Sequence, residues 1–477
     1  MSEVLLDVQG LSISLGKEEV VRASSFCVMK RGITALAGES GAGKSLTASA
    51  LIGLLPERAR TSGHALYHGR DLLTLSERQW QDLRGRKISL VFQNPLETLN
   101  PSYRAGTQLK RVLRMHGLYK GRAQLEELFR SVGLLGSERK YPHELSGGMR
   151  QRLSLLLALS LEPELLIADE VTSSLDREQE ELILRLLTEK QKAQGFSLLL
   201  ITHDLRLAER YADRIAVMKD GEVVEEGPAS LLSSPSHPHT RALVRDSKLF
   251  PPLPPAAAGA PVLEARDLTK TFGKEKVLDG LSFTLHKGER LGIKGPSGIG
   301  KTTLLNILSR LTCPDSGSLL LNGEDFLGLE GQELRWKRQK LQLIFQDPGA
   351  SLDGKKDIKT IVLEGARLSG KRDLDKLYSS VMGLVSLSPL LASRHPDSLS
   401  GGEQARVAIA RALAMGAEIL VLDEITSALD ASLRKGILDL LASLPVSIVF
   451  ASHDISALGY LCSRVLALED GKLKESP

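Results

Sequence analysis

The chain has 477 residues, 42% hydrophobic and 25% charged, with a formal net charge of +4. That length is too great for one ordinary core and by itself suggests about three domains, while the composition is that of a globular protein and excludes a disordered chain. So small a net charge gives no electrostatic case for nucleic acid, and the basic runs "RWKRQK" (335–340) and "DGKKDIK" (353–359) read as solvated faces.

The N-terminal "MSEVLLDVQG" has an acidic start and no signal-like apolar core. Next, "GITALAG" (32–38) reads as a buried strand and runs into "GESGAGKS" (38–45). A strand, then G-x-x-x-x-G-K-[ST], then a helix is the phosphate-binding loop, whose glycines let backbone N–H groups turn inward around phosphates. Gly38, Glu39, Ser40, Gly41, Ala42, Gly43, Lys44 and Ser45 form it here, with Lys44 expected on the β- and γ-phosphates and Ser45 on Mg²⁺. After "LVFQNP" (90–95), which carries Gln93, residues 94–144 have helical character and read as an inserted subdomain. The nearly apolar "LSLLLALSL" (153–161) falls well short of the ~20 residues of a membrane span. The chain is therefore not expected to cross a membrane itself.

"LLIADE" (165–170) reads as a strand ending in Asp169, expected to hold Mg²⁺ through water, and Glu170, placed to act as a general base. "FSLLLITHD" (196–204) ends the next strand at His203. His237 and His239, in "SPSHPHTRALV" (234–244), are read as a solvated tail loop and not a metal site. "LFPPLPPAAAGAP" (249–261) then has five prolines, four alanines and no charge. It reads as a linker, and residues 246–262 extended at ~3.1 Å each would reach roughly 50 Å.

Beyond it the text repeats. "GPSGIGKT" (295–302), "LIFQDP" (343–348), "LSGGEQAR" (399–406), "ILVLDE" (419–424) and "ASHD" (451–454) match the first set in order, at offsets of 257, 253, 254, 254 and 250. A period this long marks a tandem domain duplication and not a solenoid. The second loop is Gly295, Pro296, Ser297, Gly298, Ile299, Gly300, Lys301 and Thr302, followed by Gln346, Asp423, Glu424 and His453. Recurrence of each histidine at the phosphate end of the sheet favours a role at the phosphate over a structural one. Gln93 and Gln346 follow the same logic as polar sensors and further Mg²⁺ ligands. Residues 347–398 form the second helical insertion. The expected fold is α/β: tandem P-loop NTPase domains, each a mostly parallel sheet with helices on both faces, at residues 1–245 and 263–477 around the Pro/Ala-rich linker. Cys27, Cys313 and Cys462 are widely spaced, which excludes a disulfide scaffold and a cysteine metal site and fits a reducing compartment.

"LSGGM" and "LSGGE", ahead of the Asp-Glu strands, resemble the signature of ATP-binding cassette (ABC) ATPases, and the likeness covers almost the whole chain. It implies an intramolecular head-to-tail pair of cassettes with two composite ATP sites. One joins Gly38–Ser45, Gln93, Asp169, Glu170 and His203 to Ser400, Gly401 and Gly402. The other joins Gly295–Thr302, Gln346, Asp423, Glu424 and His453 to Ser146, Gly147 and Gly148. Asp176 and Asp430 resemble loops that communicate between sites, and Phe272 resembles the aromatic residue that stacks adenine, with Leu15 at that place in the first copy. A DNA-repair member would carry zinc-binding cysteines. A translation-associated one would join its cassettes by a long, charged helical arm.

"FQNPLETLNP", "FQDPGASLD" and the tail motif resemble the peptide and nickel importer subfamily, whose ATPases usually come as two chains. The implied function is that of an ATP-hydrolysing subunit driving an importer of peptides, nickel or related small solutes, with a fused sugar-importer ATPase as the alternative among transporters. The implied partners are two integral-membrane permease subunits and a solute-binding protein, at the cytoplasmic face of the cell membrane.

Overall fold

The structure, a computed structural model, describes residues 3–172, 175, 177–247, 259–273, 275–296, 298–427, 429 and 431–475. Ser297, Asp176, Asp430 and most of the linker lie outside the described residues. Two compact units form, Met1–Lys248 and Leu249–Pro477.

The first unit runs β1 Val4–Leu15, β2 Glu18–Met29, β3 Ile33–Gly38, β4 Ala59–Tyr67, β5 Arg70–Asp71, β6 Ile88–Val91, β7 Leu165–Asp169, β8 Ser197–Thr202, β9 Arg214–Lys219 and β10 Glu222–Pro228. Its main sheet has the order β10-β9-β3-β8-β7-β6, and every pairing is parallel except β10 with β9. β7 is buried at all five positions because each face meets a different core. Leu165 and Ile167 pack into one hydrophobic cluster, and Leu166 and Ala168 into the other. That two-sided burial is why the strand reads as a continuous apolar run.

A second sheet, β2-β1-β4-β5, is wholly antiparallel. Periodicity alone does not expose it, because the register of β1 shifts between Val8 and Leu11 against β2 and between Gln9 and Ser12 against β4, around Gly10 at φ 57°. The irregularity changes the phase of in–out alternation partway along the strand.

The second unit repeats this plan with β11 Pro261–Phe272, β12 Glu275–His286, β13 Arg290–Lys294, β14 Ser316–Leu321, β15 Glu324–Asp325, β16 Leu341–Ile344, β17 Ile419–Asp423, β18 Ser447–Ser452, β19 Arg464–Glu469 and β20 Lys472–Glu475. Its sheets have the orders β16-β17-β18-β13-β19-β20 and β12-β11-β14-β15.

Both helical insertions are present. In the first, helices Ala105–Met115 and Arg122–Arg130 bury Leu109, Leu113 and Phe129 against Leu153 and Leu156 of the helix Gly147–Leu159. In the second, helices Ile358–Leu368 and Leu374–Leu384 bury Val362, Val381 and Met382 in one cluster with Val407 and Ile409 of the helix Gly401–Met415. The helix that starts at each Ser-Gly-Gly is therefore part of the core of its insertion. At the junction of the units, a helix spans Pro238–Ser247 and β11 starts at Pro261, so described elements overlap both ends of the 246–262 segment.

Candidate functional site

In a parallel sheet the loops at the C-terminal ends of neighbouring strands share one edge. β3 delivers the first phosphate loop there, β7 delivers Asp169 and Glu170, β8 delivers His203, and β6 leads to Gln93. Gly43 caps the helix Lys44–Leu51 at φ 95°, a left-handed conformation that favours glycine. At Gly38 a Cβ would lie 2.3 Å from the Met218 carbonyl oxygen of β9, so the loop closes only on glycine there. The counterpart cap is Gly300 at φ 110°.

Lys44 is 4% exposed, and its ammonium donates to the Gly38 and Glu39 carbonyls at 3.0 and 2.8 Å. It lies 3.7 Å from Glu170 Oε1. The Ser45 hydroxyl donates to Asp169 Oδ1 at 3.1 Å, and the Gln93 amide to Glu170 Oε2 at 3.0 Å. His203 Nδ1 is 3.4 Å from Glu170 Oε2, within ion-pair range but outside hydrogen-bond geometry.

The second unit builds the same cluster. Lys301 donates to the Gly295 and Pro296 carbonyls at 2.8 and 3.0 Å and lies 3.1 Å from Glu424 Oε1. Thr302 donates to Asp423 Oδ2 at 2.9 Å, Gln346 to Glu424 Oε2 at 3.5 Å, and His453 Nδ1 is 3.2 Å from Glu424 Oε2. Each unit thus brings together its own lysine, hydroxyl, aspartate, glutamate, glutamine and histidine.

Burial pushes the Asp169 and Asp423 carboxyls above the ordinary aspartate range, against the bonds from Ser45 and Thr302. A divalent cation fits such a place, because it would supply the charge that desolvation removes. For Glu170 and Glu424, burial opposes ionisation, but the neighbouring histidine and lysine outweigh it and hold both carboxyls below the usual glutamate value. Both glutamates also sit at left-handed φ, 45° and 46°, which is costly for a residue with a Cβ. The strain persists because their backbone N–H groups are tied to the next strand, Glu170 to the Ile201 carbonyl and Glu424 to that of Ala451, each at 3.0 Å. No sequence signal marks this feature.

Ser146 and Ser400 cap their helices through the N–H groups of Met149 and Glu403, both at 3.4 Å. The Ser400 hydroxyl also donates to the Glu403 carboxylate at 2.9 Å. At Gly148 a Cβ would strike Gln179 Oε1 at 2.4 Å, which explains that glycine by packing. At Gly147 and Gly401 a Cβ would meet nothing closer than 3.9 and 3.7 Å. Packing within each unit does not demand glycine there. Leu15 pairs with Glu18 and Phe272 with Glu275 at the tips of matching hairpins, so the two residues are structural counterparts. Phe272 is 53% exposed, with the Lys270 ammonium 5.6 Å from its ring centroid.

Sequence reading missed Glu180. Its carboxyl is pushed up by burial and by Asp204 behind His203, against bonding to Thr172 and the charges of Arg206 and His203. A carboxyl raised by folding costs nothing while protonated and destabilises progressively as pH rises through and above the ordinary glutamate range. Glu180→Gln should therefore raise the melting temperature at pH 8 and leave it nearly unchanged at pH 4; calorimetry at both values is the check. A gain of equal size at both would remove the charge explanation.

Among the described residues no helix is long and apolar enough to cross a membrane, and no cluster of His, Cys, Asp or Glu suits a metal ion by itself. The model of the ABC transporter family matches residues 21–173 and 278–427. The peptidoglycan transport ATP-binding protein YejF of Agrobacterium fabrum is 35% identical over 508 residues, covering 100% of this chain and 93% of the relative. The oligopeptide transport ATP-binding protein OppD of Mycobacterium tuberculosis is 32% identical, covering 99% and 94%. The glutathione import ATP-binding protein GsiA of Escherichia coli K12 is 33% identical, covering 99% and 86%. Among solved structures, one titled RNase-L Inhibitor aligns with 99% of this chain and 91% of its own at a TM-score of 0.63 and 20% identity, a likeness of fold alone. The chain belongs to the ABC transporter family and carries two of its ATP-binding ATPase domains in tandem.

Proposed function

We propose that this chain is the ATP-hydrolysing subunit that energises a membrane importer of peptides or related small solutes. The observation that carries this reading is the convergence, twice over, of lysine, hydroxyl–aspartate pair, glutamate, glutamine and histidine at one sheet edge. Relatives matched over nearly their whole length bear names of peptidoglycan, oligopeptide and glutathione transport, which favours a peptide-like solute over nickel or sugar.

In this reading each phosphate loop works with the Ser-Gly-Gly of the other cassette. The open space at Gly147 and Gly401 supports it, since bare N–H groups at a helix N-terminus suit a γ-phosphate. Ser45 with Asp169 and Gln93, and Thr302 with Asp423 and Gln346, would hold Mg²⁺, which would neutralise charge on the phosphate oxygens. Lys44 and Lys301 would exchange their loop carbonyls for the β- and γ-phosphates. That exchange draws an ammonium away from Glu170 or Glu424 and raises the basicity of the carboxylate as it receives the water proton. His203 and His453 orient that carboxylate and face the γ-phosphate.

The helical insertions would dock on two permease subunits at the cytoplasmic face of the membrane, with Gln93 and Gln346 passing on nucleotide state and a solute-binding protein serving the permease. The Pro/Ala-rich segment 246–262 would link the cassettes. Crosslinkers placed in 94–144 and 347–398 in intact cells should capture integral-membrane proteins; capture of ribosomal proteins alone would replace the importer reading with a translation-associated one.

Glu170→Gln and Glu424→Gln should each slow ATP turnover strongly, a positioned base contributing ~10²–10⁴-fold, while ATP binding survives. Steady-state hydrolysis and nucleotide binding on the purified chain check this. Wild-type turnover in either variant would remove that half from the chemistry.

Leucine in place of an aromatic residue should leave the Lys44 site weaker for ATP. Base stacking contributes ~1–3 kcal/mol, and its lower end corresponds to about fivefold in affinity. Titration with a fluorescent ATP analogue should show Leu15→Tyr tightening one site and Phe272→Leu weakening the other. Equal wild-type affinities with no response to Leu15→Tyr would contradict the assignment.

A further inference from the structure

Four positions after the equivalent aspartates Asp176 and Asp430, the two copies carry opposite charges, Glu180 and Arg434. Arg434 stands in the first turn of the helix Ala431–Ser443 and is one-fifth exposed. Its Nη1 donates to Asp454 Oδ2 at 3.0 Å, and its Nη2 to the Leu429 carbonyl at 3.2 Å. Asp454 directly follows His453 and caps the helix Ile455–Leu461 by accepting from the Ser456 N–H at 2.9 Å. Its own N–H donates to the Ser452 hydroxyl at 3.0 Å. Leu429 directly precedes Asp430 and lies on the loop that leaves Glu424. One guanidinium thus spans the two loops that flank the glutamate: the turn bearing His453 and the segment running to Asp430. A planar fork with fixed donors suits such a two-point hold, which a single-point ammonium cannot reproduce.

The first unit solves the same place differently. Asp204, counterpart of Asp454, is gripped by Arg206 of its own helix at 2.6 and 3.1 Å, where the second unit has Ser456. Glu180, in the place of Arg434, bonds to Thr172. A carboxyl cannot donate the two charged bonds that Arg434 makes.

We propose that Arg434 is a positioning residue for the second ATP site: it clamps the His453 turn to the loop leading to Asp430 and so fixes His453 against Glu424. The proposal rests on the reading of Glu424 and His453 as a hydrolytic pair. It follows that the two sites are held by different devices, an arginine fork from the helix Ala431–Ser443 in the second unit and Arg206 in the first.

The test uses the purified full-length chain, with ATP hydrolysis, ATP binding and melting temperature measured for each variant. A misplacement of about 1 Å at a reacting group costs up to ~10²-fold, so Arg434→Gln should nearly silence its site. Silencing one of two sites removes about half of the turnover, and more where the sites are coupled. Turnover should fall by that amount at unchanged KM for ATP. Arg434→Lys should recover part of it, and Arg434→Gln combined with Asp454→Asn should be no worse than the more severe single change. Unchanged turnover in Arg434→Gln, or a loss fully accounted for by lowered melting temperature and weakened binding, overturns the proposal. If Arg434→Gln does not fold, Arg434→Lys decides: full turnover there overturns it, and a loss at constant KM supports it. His453→Ala separates the two readings. Unchanged turnover in that variant sinks the hydrolytic pair itself, whereas a loss there beside an unaffected Arg434→Gln sinks the clamp alone.

Discussion

A lysine ammonium buried to about one-twentieth of its exposure needs compensation, and the rest of each unit is arranged around that need. Lys44 and Lys301 are satisfied by two loop carbonyls and a nearby glutamate, and the glutamate in turn by a histidine and a glutamine. The lysine, glutamate, histidine and glutamine each come from a different strand end. The cluster therefore exists only if four parallel strands hold their order and register, which the apolar cores on both faces of the sheet enforce. A ligand bringing negative charge enters a site whose positive group is already desolvated and oriented.

That arrangement also accounts for the strained glutamates. To face the lysine while keeping its N–H on the neighbouring strand, residue 170 or 424 adopts a left-handed conformation. Replacement of the lysine's carbonyl and carboxylate partners by phosphate would change the charge facing Glu170.

Duplication conserved the scaffold and let its supports diverge. The hairpin tips hold Leu15 in one copy and Phe272 in the other; the position behind the histidine turn holds Glu180 or Arg434; the signature helices begin with Met149 or Glu403 in their third position. None of these residues belongs to the lysine cluster, in which the lysine–glutamate distance differs most between copies, 3.7 Å against 3.1 Å. They lie outside it, so the two units keep one arrangement of cluster residues on differently built surrounds.

The amino-acid sequence by itself was enough for the duplication, the parallel strands, the phosphate loops and the family resemblance. Those features depend on local order: glycines where the backbone must turn left-handed, and four- to six-residue apolar runs buried on both faces. Legible too were the residues of the lysine cluster, because each sits at the end of such a run. What only the tertiary structure decided is what depends on distant segments meeting. The antiparallel sheet was hidden because the irregularity at Gly10 interrupts its alternation. The left-handed glutamates follow from a ladder bond to a strand some 30 residues away. Glu180 and Arg434 carry no motif of their own, and only the fold places each beside the turn that carries a histidine. A one-dimensional pattern records which side chains share a face of their own element; it does not record which neighbour that face will meet.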